Sequence, residues 1–196
     1  MPRLWSSSVE SHRDAVKDAV LDAVAELVAD RGLPGLSMAA VAKQAGIGRA
    51  TLYKYYTGME AVLQAWHGRQ VHQHLALLED AAGREGSPLQ RLEAVLVASA
   101  YASVHAEPGD MAPVLHAGEH VRHAREQVRD LLARLITEAA AAGEVRDDVP
   151  AAELGDFCLH AVGAASAATG AARGRLVHLA LDALRCQVPP VTHAPH

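Results

Sequence analysis

The densest group of side chains able to meet a polyanion lies in one short stretch, Arg49-Ala50-Thr51-Leu52-Tyr53-Lys54-Tyr55. On a helix, Leu52 would point back into a core. Arg49, Thr51, Tyr53, Lys54 and Tyr55 would then face solvent. Two charges and three hydroxyls on one face can reach phosphate oxygens, base edges and thymine methyls. The charge pattern around them fits that chemistry. From Arg31 to Gly58 the charged residues are Arg31, Lys43, Arg49 and Lys54, with no Asp or Glu, although the whole chain carries a net charge of -5. A locally basic segment on an acidic body is an electrostatic footprint of nucleic-acid contact. A few basic residues over such a span are also what an ordinary solvated face looks like.

Helices must position these residues, because the hydrophobic period is helical almost throughout. Val16, Val20, Ala23, Val24, Leu27 and Val28 recur on one face of a first helix that Arg31-Gly32 ends. Ser37 is a natural N-cap for a second helix, about Met38 to Ala45, which Gly46 breaks. A third runs from about Arg49 to Tyr55. Thr57 to Glu60 has the form of a capping box opening a fourth, to about Ala82. Ser87, Pro88 and Gln90 mark the start of the next helix. Further helices are expected around Met111 to His116, over Glu119 to Ala142, over about Ala151 to Thr169, and, after a break from Gly170 to Gly174, to about Cys186. The tail 188–196 holds three prolines and is expected to be disordered. No strand is expected.

The segment Leu36 to Leu63 therefore reads as a helix-turn-helix. Ala39, Val41, Ala42 and Ala45 permit tight packing, Gly46 permits the sharp turn, and Ile47 plugs the space between the helices. The string from Gly46-Ile47-Gly48 through Thr51-Leu52-Tyr53 to Tyr56, followed by Thr57 to Leu63, closely resembles the signature of the TetR family of transcriptional regulators. The resemblance covers about Val16 to Leu63. Beyond it the match is one of architecture, apart from the loop Gly143 to Asp148.

The resemblance implies an all-α fold. Residues 1–58 would be a three-helix DNA-binding head, and 59–187 a helical ligand-binding and dimerisation bundle. It implies DNA contacts from Ser37, Met38, Arg49, Ala50, Thr51, Tyr53, Lys54 and Tyr55. Thr51 and Tyr53 would position the backbone, and Arg49 and Lys54 would read bases. Three residues depart from the pattern. Gly48 stands where a Ser or Thr cap is usual, Tyr56 where Phe is usual, and Met59 where a phosphate-gripping Lys is usual. The last substitution removes one expected contact, worth ~1 in the salt slope.

The family also implies a homodimer, a double-stranded operator and a small-molecule inducer of unknown identity. A dimer seam is expected from Val128, Leu131, Leu132, Leu135, Leu154, Phe157, Cys158, Ala161, Val162 and Ala165, faces that would serve equally as intramolecular core. Ligand contacts are expected among Trp66, Tyr101, His105, Met111, His116, His120 and Phe157. Aromatic residues make up only 4% of the chain, which favours an aliphatic cavity with a few polar groups.

Other classes are disfavoured. The chain has no G-x-S-x-G, no phosphate-binding glycine loop and no H-E-x-x-H, so no enzyme is expected. His116, His120 and His123 lack a cysteine partner and read as solvent-exposed, so neither metal nor cofactor is expected. The apolar run Ala161 to Ala168 is too short to span a bilayer, and the first residues lack an apolar signal core. The isolated Cys158 and Cys186 read as buried thiols of a reduced, cytoplasmic protein. The alternatives are a helical adaptor that docks protein, against which the acid-free stretch speaks, and a DNA-binding protein with no ligand.

Overall fold

The structure, a computed structural model, describes residues 3–102 and 119–185. Among them are eight α-helices: α1 (Arg3–Arg31), α2 (Met38–Gln44), α3 (Arg49–Tyr55), α4 (Met59–Ala82), α5 (Pro88–Ala102), α6 (Glu119–Ala141), α7 (Ala151–Ala167) and α8 (Ala171–Arg185). A single 3-10 turn, Leu33–Gly35, joins α1 to α2, and no strand occurs among the described residues. The expected helix at Met111 to His116, residue Cys186 and the tail 188–196 lie outside them. None of the described helices is long and apolar enough to cross a membrane.

The chain divides into two compact units that part inside α4, one ending at Gln70 and the next beginning at Val71. The sequence reading placed that boundary at 58/59. The difference has a packing cause: Val62 and Leu63 of α4 are buried in the same cluster as Val20, Val24 and Leu27 of α1, Met38, Val41 and Ala42 of α2, and Leu52 of α3. Each fully buried Leu or Val contributes ~1.5–3 kcal/mol. The head would lose that contribution if α4 were not counted with it.

In the second unit, Leu92, Val95 and Leu96 of α5, Leu131, Leu132, Leu135 and Ile136 of α6, Leu154, Cys158 and Val162 of α7, and Leu181 and Leu184 of α8 form one core. Ser87 and Gln90 cap α5 reciprocally: Gln90 N–H donates to Ser87 Oγ at 3.4 Å, and Ser87 N–H donates to Gln90 Oε1 at 2.9 Å. Arg91 of α5 pairs with Glu138 of α6 at 2.7 Å, and Arg129 of α6 with Asp156 of α7 at 2.6 Å.

This core corrects the expected seam. Val128, Leu131, Leu132, Leu135, Leu154, Cys158, Val162 and Ala165 are all buried in the core of their own chain, which leaves them little surface to offer a second copy. Of the ten residues expected there, Phe157 is exposed and Ala161 half-buried. The Cys158 thiol is buried, which pushes its pKa up to about 12 and leaves it little thiolate to react.

Two expected helix boundaries also move. Gly58, and not Thr57, directly precedes the first residue of α4. The expected break from Gly170 to Gly174 contracts to Gly170, which alone takes a left-handed φ of 54°. The chain is helical again from Ala171, and this places Arg173 in the first turn of α8.

Candidate nucleic-acid interface

Local chemistry explains why α2 and α3 stand where they do. Ser37 is extended (φ -149°, ψ 153°), and its Oγ accepts from Ala40 N–H at 3.2 Å, capping α2. At the other end Gly46 takes a φ of 67°. Gly46 N–H then donates to Lys43 O at 3.2 Å, and Ile47 N–H to Ala42 O at 3.0 Å. This pair of bonds is a Schellman closure, which needs a left-handed residue at the glycine position. It turns the chain sharply, and Ile47 packs against the head core.

Gly48 caps α3 with no side-chain bond, at φ -69° and ψ 145°. A Cβ there would meet only Thr51 Oγ1 at 3.7 Å, so nothing steric excludes the serine usual in the family. Leu52 is fully buried and orients the helix. The opposite face then presents Arg49, Ala50, Tyr53 and Lys54 to solvent, with Thr51 and Tyr55 half-buried beside them. The structure thus brings the α3 candidates onto one surface. Met38 differs: its side chain belongs to the head core, at the first position of α2.

The electrostatics agree with the charge pattern. Lys43, Arg49 and Lys54 are exposed, and none has a carboxylate partner among the ion pairs of the described residues. Arg31 pairs with the adjacent Asp30 at 2.9 Å. At the start of α4, Met59 packs against the head core instead of reaching outward. Thr57, Gly58, Met59, Glu60, Ala61 and Gln64 line a shallow depression there, and Glu60 gives it negative charge. Tyr56 is half-buried against the head core. Burial raises its phenol pKa, with Arg69 opposing the rise and Asp18 adding to it.

The residues expected to meet a ligand are not brought together. Trp66 packs against the head core, because it follows Met59, Val62 and Leu63 on the same face of α4, and its Nε1 is enclosed without an acceptor. Tyr101 and Phe157 are exposed and His120 is half-buried. His105, Met111 and His116 lie outside the described residues. One further residue, Arg173, was hidden in the expected Gly170–Gly174 break. It is buried, with its guanidinium carbon 4.8 Å from the centre of the Tyr101 ring.

Residues 20–66 match the family model described as bacterial regulatory proteins, tetR family. Residues 90–186 match the model for the C-terminal domain of SbtR-like transcriptional regulators. Among solved structures, a TetR/AcrR-family regulator from Thermobifida fusca is similar at 20% identity and a TM-score of 0.68, with 87% of this chain and 98% of that chain covered. A TetR transcriptional regulator from Streptomyces coelicolor is similar at 25% identity and a TM-score of 0.60, covering 88% and 99%. FadR from Bacillus subtilis, solved in complex with stearoyl-CoA, is similar at 15% identity and a TM-score of 0.62, covering 84% and 97%. No curated protein sequence matches the chain.

Proposed function

Since this chain belongs to the TetR family of bacterial transcriptional regulators, we propose that it is a cytoplasmic repressor that binds a near-palindromic operator as a homodimer. In this reading a small molecule held in its C-terminal unit releases it from DNA. The observation that carries the DNA half is the outer face of α3. There Arg49, Tyr53 and Lys54 are exposed and the two cations have no carboxylate partner among the described residues, while Leu52 anchors the helix from behind. Arg49 and Lys54 are assigned to base edges, and Thr51, Tyr53, Tyr55 and the capped start of α2 at Ser37 and Met38 to phosphates. Two copies of α3 would enter successive major grooves ~34–36 Å apart.

The dimer seam is assigned to surface that the chain leaves uncovered. Phe157 is 46% exposed on α7, and Leu179 is 65% exposed on α8. Phe157, His160, Ala161 and Ala164 recur along one face of α7 at helical spacing, and the small residues allow a second helix to come close. The effector half is supported by a similar structure, FadR, which holds stearoyl-CoA. An effector acts only through different affinities for the DNA-bound and free states.

Selection of genomic fragments by the purified protein tests the DNA half. Recovery of one short palindrome, lost with Lys54→Ala and Tyr53→Ala while both variants stay folded, is the expected result. Undiminished binding by both variants would mean that another surface reads the DNA.

A further inference from the structure

The first turn of α8 holds a positive charge that no carboxylate among the described residues neutralises. Arg173, the third residue of α8, is only 8% exposed. Its Nη2 donates to Ala168 O at 2.9 Å, and its guanidinium lies over the Tyr101 ring. Its Nε is enclosed with no acceptor, and no carboxylate pairs with it among the described residues. A carbonyl and an aromatic face are weak compensation for a buried cation, which ordinarily requires an anion.

The position makes the imbalance larger. The N-terminus of a helix carries the positive end of its dipole and therefore favours acidic residues. The first turn of α8 has none, and a second cation, Arg175, follows two residues later in place of an acid. A Cβ built on Gly170 or on Gly174 would meet nothing within 4 Å, so the backbone on both sides of Arg173 is open to approach. The free Nε–H belongs to the guanidinium edge it shares with Nη2, and such an edge grips carboxylate or phosphate oxygens in pairs.

We propose that Arg173, set in the first turn of α8, binds the anionic head group, a carboxylate or a phosphate, of the molecule to which the C-terminal unit responds. This assignment gives the effector reading a chemical class and rests on it. The half-exposed Tyr101 ring covers one face of the guanidinium, which suits a small head group better than a side chain presented by another protein surface.

The test uses the full-length protein labelled with 15N in arginine alone. The Nε–H signal of Arg173 is identified by its absence in Arg173→Lys. Inorganic phosphate and octanoate are titrated separately, with chloride holding the ionic strength constant. The expected result is a saturable shift of that one signal in one arm, which names the head group. A rise in Tm accompanies it, is lost in Arg173→Met and persists in Arg175→Ala. Absence of a saturable shift in both arms overturns the proposal, as does an undiminished Tm rise in Arg173→Met. A signal that moves only on dilution to monomers, without added anion, assigns Arg173 to a carboxylate of a second copy and also overturns it. Should Arg173→Met fail to fold, the shift in the unaltered protein decides. Operator affinity is measured in parallel. Binding at Arg173 that leaves it unchanged supports the site and removes the effector reading. Release of the operator by either anion while the Arg173 signal stays still removes the site alone.

Discussion

Arg69 Nη1 lies 2.8 Å from Asp22 Oδ1, a bond that ties α4 to α1 within the head. The Arg69 side chain is mostly covered, whereas that of Asp22 is 68% exposed. Solvent screens such a pair, so it stabilises the head by no more than ~1 kcal/mol. Asp22→Asn is expected to lower stability by that amount at most in chemical denaturation. A loss beyond ~3 kcal/mol would place Arg69 among the buried cations that depend on their partner.

Met59 occupies the first position of α4 and packs inward, beside a negative Glu60. Met59→Lys places a cation at a helix start next to the DNA-reading face. We expect tighter operator binding, with the slope of log affinity against log salt steeper by ~1. An unchanged slope would show that DNA does not run past the start of α4.

Leu135 and Phe157 separate core from seam. Leu135 is fully buried, and an unpaired carboxylate there costs several kcal/mol, comparable with the ~5–15 kcal/mol that holds a domain together. Leu135→Glu is therefore expected to unfold the second unit. Phe157→Glu keeps the fold and yields monomers on sedimentation. Folded dimers of Phe157→Glu would move the seam elsewhere.

His74 sets a pH dependence. Its Nδ1 is enclosed without a partner, and burial lowers its pKa from the ordinary 6.5. The folded chain thus resists protonation that the unfolded chain accepts. The stability this provides is complete above pH 6.5 and is lost as the pH falls through the depressed folded value. His74→Leu is expected to flatten the decline of Tm on acidification below neutral pH. A decline identical in both proteins would assign it to other groups.

The helices and their order were legible in the sequence because apolar period, caps and glycine breaks agree along the chain. The α3 surface was legible for the same reason: burial of Leu52 fixes which way Arg49, Tyr53 and Lys54 turn. The C-terminal faces were not. Leu131, Leu135 and Val162 repeat at helical spacing whether they face a sister helix or a second subunit, and only packing separates the two. Arg173 escaped notice because two glycines four residues apart look like one long interruption. The backbone needs only Gly170 to turn, and Gly174 joins the helix. Trp66 is expected at a ligand because the family resemblance places its helix beside the cavity, but its phase on α4 packs it against the head core.

The use of α4 by both units constrains how this regulator can be dissected or recombined. A fragment ending at residue 58 would expose Val20, Val24 and Leu52 where Val62 and Leu63 now cover them. The first compact unit instead extends along α4 to Gln70, within an unbroken helix. A chimaera that transplants this DNA specificity onto another sensor must accordingly be spliced in mid-helix, with the helical phase preserved across the join, and not at the loop that precedes α4.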